Sequence, residues 1–534
     1  MSTTKRAATW LALTGLVGAS AVTSAVTARA ATAELPVYAV RATGLSQDQA
    51  TALQRAFGLK TVQRDQDGAV TFADEATYLR VPGLDGGAGK ADEDGIATTQ
   101  SRIDVDALKQ LRAIPADAAV KRTQEALRGA GLLPANAVAA ARNTTFEVVD
   151  ANNNTVVSAP LDTAVSYAFT LDGVPLEGAG AKLRIAFDGQ GAVSGLTYST
   201  RDVVKVGTVP VLDLTSARER CAKMLTASTR LTGVSYVYDA PALSEKVGRL
   251  EPGIRCAGAA PDGAEVQAVT VPAAVDATLP EPGPSQPPRV ENAVSPLWTN
   301  RIDVGSEGTG RCAGLPWTSY NVNGFNNQFS SRGIPVQFSW LDRNAWERDF
   351  KDPSLPNGWD HLYTDDVDMT YWQGNGSPNG FSFAGCSNNT DTFLSNNDAR
   401  WGNRDVEWMS LYTCSILRSS AGGQSWAQRW GRAFRGLHQI NGFDTGAVHS
   451  AVHGSRYGNY LLRTPFLWWN RPMKVRDAWA QASIDTQPSS VVWATMGPIG
   501  TSWLANVDDY FWTKGPVGPD TLPTWGFWRI SGTS

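Results

Sequence analysis

Tryptophan and histidine divide this 534-residue chain into two unlike parts. Positions 31–297 contain neither, whereas 298–528 carry 18 Trp and all four His. One core built with indoles and another built without them imply separate packing units, and a chain this long exceeds what a single core usually serves. Residues 280–288 (PEPGPSQPP) mark the seam and read as an extended, proline-rich linker. The expected plan is a targeting segment over 1–30, a β-rich α+β module over 31–272, a linker over 273–294 and an α/β domain over 295–534.

The first thirty residues have the form of an export signal. Lys5 and Arg6 precede an apolar run over 7–26, and Ala28-Arg29-Ala30 supplies a small-residue cleavage site. The run is rich in Ala, Thr, Ser and Gly and is poor material for a spanning helix, and no later segment reaches ~18 continuous apolar residues. A secreted protein without a stable membrane anchor is therefore expected. The net charge of −4 and the 18% of charged residues exclude an electrostatic footprint for nucleic acid. Export also makes the five cysteines readable, since structural cysteines pair in an oxidising compartment. Cys221 with Cys256 and Cys312 with Cys386 are the expected bridges, leaving Cys414 free; five cysteines allow other pairings.

In the first module, helical spacing over 48–57 and 118–130 gives way to alternation. Strands over 164–171, 181–187 and 192–200 are separated by Asp172-Gly173 and Asp188-Gly189, strong hairpin signals. The helix-plus-meander pattern resembles the PepSY-type inhibitory or chaperone-like modules of exported bacterial hydrolases; a β-rich adaptor is the other reading.

In the second part, strands over 336–340, 367–373, 406–413, 438–443 and 491–497 are interleaved with helical spacing over 425–437 and 472–482. This predicts a doubly wound, mainly parallel sheet, whose ligands sit beyond the carboxyl ends of the strands. One such strand runs into Gly374-Asn375-Gly376 and another ends on Cys414. A thiol there is a candidate nucleophile, and backbone amides after Gly374 and near Cys414 are candidate oxyanion donors. Asn375 can orient or donate but takes no proton.

Further stretches carry a family resemblance: Asn344-Ala345-Trp346-Glu347, Asp349-Phe350-Lys351-Asp352, 373–381, Trp401-Gly402-Asn403, Glu407-Trp408, Gly436-Leu437-His438 and Met496-Gly497. Residues 302–518 resemble a secreted bacterial family of unknown function whose C-terminal domain looks like the caspase and gingipain cysteine peptidases. In that pattern the first strand's turn carries His followed by Gly or Ala, and Asn375 falls on the His. The resemblance implies a caspase-like sheet with Cys414, Asn375 and Gly376 as catalytic positions. Gly374, Trp372 and Ser377 would lie on the substrate side. It implies an exported cysteine-dependent peptidase or amide hydrolase, possessing no cofactor and acting on a peptide or protein.

A second reading keeps the cleft but removes the turnover: a pseudoenzyme that holds a peptide, glycan or partner protein. A third uses His449 and His453, spaced i,i+4, as half of a metal site, although no standard signature accompanies them. His361 and His438 are expected at the opposite ends of their strands from Asn375. Asp365, Asp366 and Asp368 read as a solvated turn or a calcium cluster. Trp372, Trp426, Trp430, Trp468 and Trp469 read as core or as an aromatic groove.

Overall fold

The computed structural model describes residues 33–534 except 93–94, 226–228, 262, 290–301, 387–390 and 466–469. The expected leader, part of the expected linker, and Trp468 and Trp469 lie outside the described residues.

The first half runs β1 (Glu34–Thr43), α1 (Gln47–Ala56), β2 (Val70–Ala73), α2 (Ala116–Gly129), β3 (Ala137–Asp150), β4 (Thr155–Leu171), β5 (Ala181–Phe187) and β6 (Val193–Pro210). It continues through α3 (Leu214–Met224), β7 (Arg230–Asp239), β8 (Pro252–Ala259) and β9 (Glu265–Pro272). Local chemistry sets these boundaries. Ser46 and Gln49 form a capping box that starts α1. Asp172 and Gly173 take φ of 47° and 82° at the end of β4, the left-handed pair that a type I′ turn needs. The Asp188 carboxylate accepts from the amides of Gln190 and Ala192 and closes the β5–β6 hairpin.

The second half runs β10 (Val304–Gly308), α4 (Thr318–Ser330), β11 (Val336–Leu341), β12 (Met369–Gln373), β13 (Trp408–Tyr412) and β14 (Gln439–Phe443). Then come α5 (His453–Leu462), α6 (Val475–Thr486), β15 (Val492–Ile499) and β16 (Gly526–Thr533). Five strands are parallel in the order β11-β10-β12-β13-β14, and β15 and β16 add antiparallel. Every residue of β10, β12, β13 and β14 is buried, as expected for strands covered on both faces.

The two covers differ. Helices α4, α5 and α6 lie on one face, where Phe325 stacks on Tyr371 at 4.7 Å and Trp479 Nε1 donates to Gly442 O at 3.0 Å. On the opposite face Trp372 of β12 is covered by Phe350, Phe381, Trp401 and Trp430, supplied by hairpins, turns and the five-residue helix Trp426–Trp430. The expectation of a doubly wound sheet is corrected accordingly: among the described residues the protein is α+β, with a large mixed sheet of 22 strands and few helices. Pro353, Pro356, Gly358, Gly374, Pro378 and Gly380 interrupt the connections on the second face before a helix can propagate.

The halves are not independent units. β16 pairs antiparallel with β3, placing Arg529 opposite Glu147, and the two side chains meet at 3.1 Å. Phe146 stacks on Trp528 at 6.3 Å. One hydrophobic cluster runs from Tyr78, Phe146 and Leu161 to Met369, Trp408 and Trp479. The Tyr78 hydroxyl donates to Gln481 Oε1 at 2.9 Å. The seam at 280–288 therefore separates compositions but not cores, and its described residues lie docked on the second half. Among the described residues, no helix is long and apolar enough to cross a membrane.

Candidate functional site

Parallel register brings three strand ends to one edge, with Gly308 beside Gln373 and Gln373 beside Tyr412. The segments carrying Asn375 and Cys414 therefore leave neighbouring strands. A Cβ at Gly374 would stand 2.5 Å from Thr309 Oγ1 and from the Trp372 ring, so only glycine permits this close exit. At Gly376 a Cβ would collide with Thr413 Oγ1. Trp372 itself is buried among Phe350, Phe381 and Phe383, and Ser377 turns back to its own hairpin, its hydroxyl accepting from Asn379 N at 3.3 Å.

The side chains at this edge are committed elsewhere. Asn375 is buried; its Oδ1 accepts from Gln267 N at 3.2 Å and its Nδ2 donates to Ala313 O at 3.2 Å. Cys414 is free and fully buried, its sulfur accepting from Ala447 N at 3.3 Å. Burial pushes its thiol up to about 12, so it is protonated at physiological pH. Ser415, next in the chain, holds φ of 56°, a strained conformation for a residue with a side chain. The Ser415 hydroxyl donates to Glu265 Oε2 and the Arg418 guanidinium to Glu265 Oε1, both at 2.7 Å.

Gln267, on β9 of the first half, is the hub of the edge. Its Nε2 donates to Gly374 O at 2.9 Å and to Tyr412 O at 2.7 Å, bridging two strand ends. Its Oε1 lies 3.0 Å from His449 Nδ1. His449 Nε2 accepts from Trp317 N at 2.9 Å, so Nδ1 carries the proton and donates to Gln267. Sequence reading missed Gln267 and Glu265. The one signal was a buried Gln interrupting the apolar run of β9, whose neighbours Val266, Val269 and Val271 are core.

The histidines do not gather. His449 and His453 are each held neutral, burial pushing both down to about 3. His453 lies 3.3 Å from the Tyr371 hydroxyl and 3.3 Å from Ser483 Oγ, a different set of partners from those of His449. His449 also precedes α5 rather than sharing it, which removes the helical i,i+4 geometry. His438 sits at the start of β14 between Asp509 at 2.7 Å and Asp520 at 3.3 Å, and these carboxylates raise it to about 9 against the opposing cost of burial. His361 stands in a 3₁₀ turn before β12. The acidic trio is structural: Asp365 accepts from Gly402 N, Asp366 pairs with Arg404, and Asp368 accepts from Asp303 N.

The two expected bridges are present, Cys221–Cys256 joining α3 to β8 and Cys312–Cys386 joining the loop after β10 to the loop after the Asn375 hairpin. Cys312, Cys386 and Asp342 cluster closely, yet the disulfide occupies both sulfurs, and Asp342 accepts from Gly310 N.

A separate cavity of about 1080 Å³ opens where the halves meet, lined by Phe72 and Tyr78 on one side and Tyr460, Arg471, Gln481 and Tyr510 on the other.

No curated protein matches this chain. Among solved structures, an uncharacterized protein from Eubacterium rectale ATCC 33656 is 14% identical, over 42% of this chain and 78% of that one, with a TM-score of 0.23. The C-terminal domain of Bacillus megaterium YpeB is 13% identical, over 43% of this chain and 94% of its own, with a TM-score of 0.18. Residues 302–532, the stretch that runs from just before β10 into β16, match a family described as a domain of unknown function, DUF6345.

Proposed function

We propose that this is an exported, non-catalytic binding protein built on a sheet of the cysteine-peptidase type, with its ligand held at the junction of the two halves. The observation that carries this reading is the state of the strand-end edge: Gln267 spans the two carbonyls there, and the thiol of Cys414 is sealed and neutral. Acyl transfer by a cysteine needs a thiolate and a group that carries the proton. Asn375 cannot carry it, and His449 and His453 are bound to other partners. The strand order β11-β10-β12-β13-β14 and the paired exits of Asn375 and Cys414 support descent from a hydrolase. The cavity between the halves supports binding, since ligand sites favour such junctions and it offers aromatic faces beside charged and amide groups. A short peptide or a glycan suits that lining.

The test has two arms. Iodoacetamide should leave Cys414 unlabelled in the folded protein, and no peptide amide should be hydrolysed. Hydrolysis by the wild type that Cys414→Ala abolishes would overturn the reading in favour of Cys414 as nucleophile. In a thermal-shift screen of short peptides and oligosaccharides, a stabilising ligand should lose its effect in Tyr510→Ala and keep it in Cys414→Ala.

A further inference from the structure

We propose that the groove along the outer edge of β11 recognises an extended peptide by its arginine, and that in this chain the groove is occupied by the protein's own residues 285–289. This groove shares no lining residue with the junction cavity and does not include Cys414.

The strap is held in two ways. The first works through two side-chain amides, one on the strap and one on the groove. Gln286 Nε2 donates to Ser339 O at 2.9 Å while its Oε1 accepts from Leu341 N at 2.9 Å, so one side-chain amide satisfies the edge strand as a paired peptide unit would. The Asn344 carboxamide then clamps the strap's main chain, donating to Pro287 O at 2.7 Å and accepting from Arg289 N at 2.7 Å. Contacts from a fixed amide to the backbone of an extended segment do not depend on that segment's side chains. Pro284, Pro287 and Pro288 favour the extended form before docking.

The second reads one side chain. The Arg289 guanidinium lies 4.6 Å from the Trp340 ring centroid, 4.0 Å from Trp346 and 4.3 Å from Tyr363. It makes a forked pair with both oxygens of Asp349, and both side chains are buried. Glu307 on β10 lies beside this pair, and burial together with Asp349 raises its carboxyl well above the usual range. Three aromatic faces and a forked carboxylate match a planar guanidinium and not a compact ammonium ion.

The groove is also larger than the strap. A cavity of about 300 Å³ remains beside Ser285 and Pro288, bounded by Arg311, Asp342 and Trp346. Upstream, Gly283 N donates to Pro316 O at 2.8 Å, and a Cβ at Gly283 would collide with Ser319 Oγ. The strap thus has the form of a tethered ligand: a glutamine amide on the edge strand, an asparagine clamp on its main chain, one deep anchor and room for larger neighbours. Tethering supplies it at an effective concentration of about millimolar, so a modest intrinsic affinity suffices to keep it in place.

The probe is the labelled synthetic peptide Gly-Pro-Ser-Gln-Pro-Pro-Arg amide, followed by fluorescence anisotropy against the full chain. Arg289→Ala should bind it saturably, wild type should bind it about tenfold or more weakly through internal competition, and a Lys or Ala in the last position should weaken it about tenfold or more. A folded Arg289→Ala protein that does not distinguish the Arg peptide from the Ala peptide overturns the proposal. Should Arg289→Ala not fold, hydrogen exchange on wild type decides. Excess Arg peptide, unlike the Ala peptide, should speed exchange at the amides of Gly283 and Arg289; unchanged exchange counts against the proposal as decisively.

Discussion

Two buried polar assemblies sit on the same parallel sheet and are built on opposite principles. At the strand ends, Asn375, Gln267, His449 and Cys414 form a neutral set, with the imidazole and thiol both held uncharged by burial. On the loop-covered face, Arg289 and Asp349 form a charged set enclosed by rings. Neutral amides close an edge, with a protonated thiol beside them. A buried charge is costly unless its partner is present, which makes the second assembly selective for what fills it. The difference teaches that residue type alone does not set the charge state of a buried polar group; its neighbours do.

The largest effect should separate the two assemblies. Asp349→Ala strands the Arg289 charge in the interior and should lower unfolding stability by about 3–5 kcal/mol in urea titrations read by Trp fluorescence. Next, Gln267→Ala deprives the carbonyls of Gly374 and Tyr412 and the His449 N–H of their partner, at about 2 kcal/mol by the same assay. A loss as large as that from Asp349→Ala would erase the contrast between amide closure and charge burial.

The pH dependence sharpens it further. His449 in the folded state lies near 3, below its unfolded value of about 6.5. The unfolded chain therefore binds the extra proton, and stability is lost as pH falls from about 6.5 toward 3. His449→Gln should flatten that limb relative to wild type. His438 has the opposite sign: raised to about 9, it stabilises fully below about 6.5 and loses that contribution as pH rises through 9. Its partner Asp509 is pulled both ways, up by burial and down by His438. His438→Gln should therefore remove a stability difference on the order of 2–3 kcal/mol between pH 6.5 and 9.5, measured as the gap between variant and wild-type curves.

The smallest effects are diagnostic. Asn375→His must fit an imidazole where an amide bonds Gln267 and Ala313, costing about 1–3 kcal/mol, and should confer no peptide hydrolysis. Cys414→Ala should cost about 1 kcal/mol, the loss of a buried small apolar group. Glu307→Gln, at a carboxyl that burial and Asp349 push well above the usual range, should cost less still and would contrast with its neighbour Asp349.

Much of the local structure was legible. Asp172-Gly173 and Asp188-Gly189 marked hairpins because their chemistry is confined to a few residues. The parallel strands were visible as apolar runs, and the cysteine count indicated the free thiol. What failed was non-local. The seam at 280–288 looked like a boundary because nothing in the composition shows that Arg529 will face Glu147. The second helical layer failed because Trp side chains fill that face from short turns. The plug at the strand ends depends on Gln267, more than a hundred positions from Asn375, where alternation shows only another strand. Arg289 was invisible within a segment whose prolines suggested a spacer.

The pairing of β16 with β3 sets a condition on how the molecule is made. Strand β3 emerges early, yet its sheet partner at 526–533 is synthesised some 380 residues later, and closing a loop of that length is slow compared with forming a hairpin. Until that partner arrives, one side of the early hairpin stays open to any other strand in solution. A chain halted short of position 526 should accumulate as soluble aggregate or be degraded, and a chaperone active during biosynthesis would have its greatest influence on that exposed rim.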